Sequence, residues 1–128
     1  MIGFLTARAP VTFFGKTEDK EDIALIEFND TSFQLKKTDF ILRLITASKV
    51  FAINVIPTAT EKQKDACEQY EGAFINKFEK AGFVKEECQT IDCPCIKGAE
   101  VIECELLKTE EMENSTKIAG KILISRRS

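Results

Sequence analysis

The side chains able to do chemistry in this sequence fall into three small groups. The first is Asn29, Thr31 and Ser32, an amide and two hydroxyls in one short run, a set that can hold the oxygens of a polyol or a phosphate. The same Asn-Asp-Thr-Ser run is also ordinary turn chemistry, so both readings stand at this point. The second group is Lys36, Lys37 and Thr38, where positive charge and a hydroxyl precede a helical period and offer an anion position at a helix start. Solvated lysines and a simple helix cap account for these residues as well. The third is Asn54, an amide at the end of the apolar run Val50 to Ile56, able to meet a ligand's edge or a neighbouring loop. Thr58 and Thr60 follow it at the next helix start.

Histidine is absent, which removes the usual general base, the usual proton shuttle and the commonest metal ligand together. Catalysis of the Ser-His or Cys-His type is excluded, and no side chain is assigned as catalytic. An enzyme made from this sequence must take its chemistry from a cofactor, or rely on carboxylates, lysines or thiols. The five cysteines are an odd number and are expected to be thiols rather than a disulfide framework. Cys88, Cys93, Cys95 and Cys104 invite a zinc reading, but Cys-x-Cys is not the usual Cys-x-x-Cys, and Cys104 falls on the core face of an alternating strand. No metal is expected. Cys93 and Cys95 could also serve a redox role, with Lys97 the nearest basic residue in sequence.

A net charge of −3, with lysines and arginines scattered along the chain, argues against nucleic acid as a partner. No apolar run approaches the length of a membrane span, so no membrane partner is expected. The apolar start, Met1 to Phe14, is interrupted by Arg8 and Pro10 and lacks a basic leader, which makes a cytoplasmic location the default expectation.

The elements that must position these groups read as one domain over 1–128. Pro10 to Phe14 and Ile23 to Phe28 read as strands, with Gly15 to Asp22 as a charged turn between them. Ile41, Leu42, Leu44 and Ile45 recur at helical spacing behind Thr38 and Asp39, so a short buried helix is predicted from Thr38 to Lys49. Val50 to Ile56 is a strand. Thr60 and Gln63 form a capping-box pattern opening a helix that runs to about Tyr70, and a second helix is predicted over Gly72 to Ala81, closed by Gly82. Val84 to Gly98 is irregular. Two alternating strands end the chain, the first carrying Ile102, Cys104 and Leu106 inward, the second Ile118, Ile122 and Ile124, with Thr109 to Thr116 as their connection and Arg126 and Arg127 as a solvated tail. The expected class is mainly β: a small antiparallel barrel of about six strands with two or three short helices inserted.

The middle of the chain also resembles a known family. The run Leu44-Ile45-Thr46-Ala47-Ser48-Lys49-Val50-Phe51-Ala52-Ile53-Asn54-Val55-Ile56 resembles the helix-to-strand passage ending Phe-x-x-Asn of flavin reductase-like and flavoredoxin-like split barrels. Phe74-Ile75-Asn76-Lys77-Phe78-Glu79-Lys80-Ala81-Gly82-Phe83 is similar to that family's Asp-Lys-Phe-Glu-Lys-x-Gly segment, and Pro94 to Ile96 and Glu103-Cys104 follow in the family's order. The resemblance implies a homodimeric split barrel holding FMN, with NAD(P)H as a possible co-substrate and hydride passing directly to the flavin. It implies flavin contacts from Asn29, Thr31, Ser32, Lys37, Thr38 and Asn54. Two features depart from the family. Ile23 to Phe33 has no Pro-Pro pair, and the position of the usual phosphate-gripping hydroxyl, counted back from Asn54, is Ile41. A barrel that has lost its cofactor and acts as a binding or assembly module is the alternative reading.

Overall fold

The computed structural model describes residues 1–128. The elements are β1 Ile2–Phe13, β2 Lys16–Glu27, β3 Ser32–Lys36, α1 Phe40–Ser48, β4 Val50–Val55, α2 Glu61–Gln69, α3 Lys77–Ala81, β5 Lys85–Glu87, β6 Pro94–Ile96, β7 Glu100–Glu111 and β8 Ser115–Arg127. Six strands form one antiparallel sheet in the order β2-β1-β4-β7-β8-β3, and β5 with β6 forms a separate ribbon. The sheet curls, so that Leu5, Ile26, Phe33, Phe51, Cys104 and Ile118, from six different strands, share one core. Helix α1 closes that core through Ile41, Leu44 and Ile45. A second core lies on the outer face, where Phe4, Ala52 and Val101 meet Cys67 of α2, Phe78 of α3 and Cys93, Cys95 and Ile96 of the ribbon. The chain is therefore a mainly β split barrel, with apolar side chains on both faces of its central strands.

The charged stretch predicted as a turn, Gly15 to Asp22, is instead the first part of β2. Strands β1 and β2 pair without a break from Phe13↔Lys16 to Ile2↔Glu27. Their connection is only Phe14 and Gly15, both at positive φ (51° and 79°), the geometry that a tight two-residue hairpin requires. Lys16 to Glu21 show no apolar alternation because that half of β2 projects beyond the cores, and pairing with β1 alone keeps it extended.

The helix predicted over Gly72 to Ala81 is likewise shorter. Gly72 lies against the Asp22 carboxylate so closely that a Cβ there would come within 2.1 Å of it. Helix α3 begins only at Lys77, after Asn76 accepts the Glu79 N–H, and ends at Gly82 (φ 72°). Of its apolar residues Phe74, Ile75 and Phe78, only Phe78 is buried; Phe74 is exposed. The final connection is also shorter than predicted, since β7 runs to Glu111 and β8 starts at Ser115. Arg126 is no solvated tail, because it pairs in β8 and binds Glu103.

Three polar ties hold the two cores in register. Asn54 is fully buried, donates to the Phe4 carbonyl (2.8 Å) and the Thr6 hydroxyl (3.0 Å), and accepts the Ile96 N–H (2.9 Å), joining β4, β1 and β6. Glu103 is also fully buried and accepts the N–H groups of Gln89 and Thr90, the Thr90 hydroxyl and the Arg126 guanidinium. Asp22 pairs with Lys77 at 2.8 Å, and Lys77 also donates to the Ile23 carbonyl. Every buried side-chain nitrogen and oxygen has a partner.

Burial would raise the Glu103 pKa, but the donors of Gln89, Thr90 and Arg126 outweigh it and hold the carboxyl below its ordinary 4.5. A carboxylate depressed in the folded state stabilises the fold above the unfolded value and loses that contribution as pH falls through the folded one. Burial moves Asp22 the other way, raising its pKa against Lys77, so acidification does not cost the fold through that group. Stability should therefore decline below pH 4.5, and Glu103→Gln should flatten that decline in urea titrations repeated across pH. Asn54→Ala should cost about 3 kcal/mol in the same assay at neutral pH, since it strands three buried partners.

Candidate functional site

Strand β3 is an edge strand, paired with β8 on one side only. Its side chains alternate strictly: Phe33 and Leu35 enter the core, while Ser32, Gln34 and Lys36 face outward. Two open clefts lie along this outward face. One, of about 760 Å³, is lined by Asn29, Asp30, Ser32, Gln34 and Lys117, among others. The other, of about 500 Å³, includes Gln34, Lys36, Thr38, Asp39, Phe40 and Tyr70. Gln34 borders both, so the two clefts adjoin at that side chain and are taken together as the groove that runs from the β2–β3 turn to the start of α1.

The residues singled out in the sequence divide between this groove and the interior. Asn29 and Ser32 exchange backbone hydrogen bonds across a turn held by Asp30 at φ 57°, and both side chains are free of partners within the chain. Thr38 is exposed, and its hydroxyl is also unspent. Lys37 lies outside both clefts, with its ammonium 3.2 Å from Glu111 and its N–H donating to Asn114. Thr31 is buried, and its hydroxyl donates to the Gly120 carbonyl while Gly120 donates back to the Thr31 carbonyl. That exchange pins the β2–β3 turn to β8. Asn54 is committed to the three bonds already described, on the opposite face of the sheet from the inner core. The structure thus brings Asn29, Ser32 and Thr38 to the groove, and turns Thr31 and Asn54 inward. Ile41 is buried in the core and offers nothing to a ligand.

The groove also contains groups that the residue-by-residue reading passed over. Gln34, Lys117, Phe40 and Tyr70 have no distinctive spacing of their own. The polar-apolar alternation of Ser32 to Lys36 is the signal that could have placed Gln34 on the same face. At the second cleft α1 starts without a side-chain cap, because the Asp39 carboxylate accepts the Lys36 N–H instead. The first-turn amides of α1 are therefore left with no side-chain acceptor.

Charge in the groove is mixed. Asp22 and Lys77 neutralise each other at the floor of the second cleft, leaving Asp39, Glu68 and Glu71 against Lys36. On the β3–β8 face, Gln34 is in register with Lys117 and Lys36 with Ser115, and neither lysine has an ion-pair partner. The positive end of the groove is thus the strand face, and the carboxylates surround its helical end. The donor set, two hydroxyls, two amides, two free ammonium groups and an uncapped helix start, fits a ligand with a polyol chain and a phosphate. Phe40 and Tyr70 supply apolar wall.

No helix is long and apolar enough to cross a membrane. No group of three or more acidic, thiol or imidazole side chains has the geometry to hold a metal ion.

Comparison with known proteins bears on what this groove serves. No curated protein matches the sequence at a significant level. Among solved structures, the flavoredoxin of Desulfovibrio vulgaris (Miyazaki F) superposes with a TM-score of 0.76 at 21% identity, over 98% of this chain and 69% of that one. The 2-nitrobenzoate 2-nitroreductase of Pseudomonas fluorescens gives 0.75 at 20% identity, over 99% of this chain and 64% of that one. The NADH:FAD oxidoreductase of Streptomyces globisporus gives 0.69 at 17% identity, over 100% and 77%. This chain is thus equivalent to about two thirds of the length of the first two, and at these identities the likeness is one of fold. The family model described as flavin reductase like domain matches residues 31–124, which span β3 to β8 and most of the groove. The chain belongs to the flavin reductase-like domain family.

Proposed function

We propose that this protein is an FMN-binding oxidoreductase module that holds the flavin along the outward edge of β3 and relays electrons from NAD(P)H to an acceptor, working as a homodimer. The observation that carries the reading is the run of unspent donors from Asn29 and Ser32, through Gln34, to Thr38 and the uncapped start of α1, which from Ser32 onward lies inside the segment that matches the family. Bound there, the flavin would supply the two-electron carrier for hydride transfer.

The protein's own part is to bind, orient and shield. Ser32, Gln34 and Thr38 would donate to polyol and ring oxygens, and Lys36 and Lys117 would balance phosphate charge on the strand face. Phe40 and Tyr70 would cover apolar ring surface and exclude water from one end of the groove. Asp39, Glu68 and Glu71 would disfavour an anion at the helical end, and so set the direction in which the ligand lies. The nicotinamide part of the proposal is supported by one similar structure that is described as an NADH:FAD oxidoreductase.

The homodimer rests on surface left uncovered. Strands β2 and β3 are open edges. Leu107 and Leu123 stand exposed at the two register shifts of β7 and β8, Leu123 next to exposed Ile122. Sedimentation at micromolar concentration should give twice the 14.4 kDa chain mass; a single-chain species would count against the dimer.

The cofactor-free module remains the second reading, favoured by the carboxylates of the second cleft and by buried Ile41. Titration of FMN followed by quenching of its fluorescence separates the two. The parent protein should bind saturably, and Lys36→Ala with Thr38→Ala should weaken binding at least tenfold, the loss of a charge-assisted contact and a hydrogen bond at about 1.5 kcal/mol or more. Circular dichroism should show the double variant folded, because both side chains are exposed. Ser32→Ala should weaken binding with little effect on stability, whereas Thr31→Ala should lower stability because Gly120 loses its hydroxyl donor. A folded Lys36/Thr38 variant that binds FMN as tightly as the parent would end this assignment, and a parent that binds none would favour the cofactor-free module.

A further inference from the structure

Three thiols converge on the β5–β6 ribbon, away from the groove. The ribbon register runs Lys85↔Ile96, Glu86↔Cys95 and Glu87↔Pro94. The next rung sets Cys88 opposite Cys93, and the Cys88 N–H donates to the Cys93 carbonyl at 2.9 Å. The Cys93 N–H donates to Ile91, so the pair makes one of its two ladder bonds; directly opposed antiparallel residues keep their Cα atoms about 4.5–5.5 Å apart, inside the roughly 4.4–6.8 Å range that a disulfide spans. The three side chains also share one cluster, since Cys88 packs against the outer core that contains Cys93 and Cys95. Cys88 is half-buried and reachable, while Cys93 and Cys95 are fully buried beneath it. Arg126 places Nη2 3.5 Å from the Cys95 sulfur, and Glu103 anchors that guanidinium. All five cysteines are free thiols in this structure.

We infer that Cys88 and Cys93 form a reversible dithiol–disulfide site that exchanges with low-molecular-weight disulfides, with Cys95 as a third thiol within reach of Cys88. The thiolate of Cys88 attacks one sulfur of a small disulfide R–S–S–R, the S–S bond breaks, and R–S⁻ leaves and takes up the proton that Cys88 released. Cys93 then attacks the Cys88 sulfur of the mixed disulfide, and the second R–SH leaves with the Cys93 proton. The protein loses two electrons and two protons, and the small disulfide becomes two thiols. An external dithiol reverses both steps. The ring closed between Cys88 and Cys93 is short, so the link adds little stability and is readily reversed.

The charged groups facing the cluster are Glu86, Glu103 and Arg126. Contact with Cys93 and burial push the Cys88 thiol well above its ordinary value, and burial pushes Cys95 up to about 11 despite Arg126. Exchange is therefore slow at neutral pH, and mildly alkaline solution suits the test.

The test uses the whole chain, fully reduced, desalted and incubated with oxidised glutathione. Remaining thiols are blocked with N-ethylmaleimide, and the product is mapped by mass spectrometry. The expected result is loss of two of the five thiols with no glutathione retained, a Cys88–Cys93 linked peptide, and full recovery with dithiothreitol. Cys93→Ser should arrest the reaction, leaving glutathione on Cys88 or passing the link to Cys95. Five blockable thiols in the parent, a lasting glutathione adduct on Cys88 with Cys93 still free, or a link that excludes Cys88 would each overturn the proposal. Because the parent chain carries the primary readout, a variant that does not fold leaves the test intact.

Discussion

Asn54 sits where the inner barrel, the first strand and the cysteine ribbon meet, and it serves all three through one amide. Its environment is apolar on both sides: Phe51 and Ile53 enter one core, and Ala52 and Val101 the other. A buried amide in such a place is tolerated only when each of its donors and acceptors is met, and then it specifies a single register because no neighbouring alignment meets them all. The fit is tight elsewhere along the same strand pairs. A Cβ at Gly3 would strike the Phe28 ring at 2.8 Å, and one at Gly120 the Phe51 ring at 2.5 Å.

That register has consequences for the groove. With β4 and β7 locked in the centre, β8 is held by the β7 hairpin and β3 by β8, so the outward face of β3 is fixed by a chain of pairings that begins at Asn54. Thr31 adds a cross-tie to Gly120 and fixes the turn at one end of the groove, while the Lys37 N–H donates to the Asn114 carbonyl and ties the other end to the β7–β8 connection. The donor side chains of the groove spend almost nothing on the fold. Ser32, Thr38 and Lys36 are exposed or partly exposed side chains on rigid backbone, the arrangement expected where a binding surface is held by a scaffold rather than by its own contacts.

Much of this architecture could be read from the sequence because the signals were local. The Thr60–Gln63 capping box forms in both directions, and Gly82 closes α3 as its position suggested. The family resemblance rested on residues 44 to 107, and the family match spans 31–124. What could not be read depended on distant partners. Lys16 to Asp22 are strand because β1 lies beside them, a fact absent from their own composition. Glu103 reads as a water-facing residue by alternation, and is buried because Gln89 and Thr90 fold over it with three of its donors. The sequence leaves Asn54 open to a ligand or a neighbouring loop, and only the family resemblance implies a flavin contact, because an amide ending an apolar strand gives no sign of which side will claim it. The structure shows that the protein does.

Backbone amide shifts in a two-dimensional NMR titration with FMN locate the flavin most directly. With FMN along β3, the largest perturbations should fall on residues 29 to 41 and at Lys117, with Asn54 and the β5–β6 ribbon little changed. Perturbations centred instead on the cleft lined by Arg8, Gly72, Phe74 and Lys85, or an unchanged spectrum at saturating FMN, would contradict that placement.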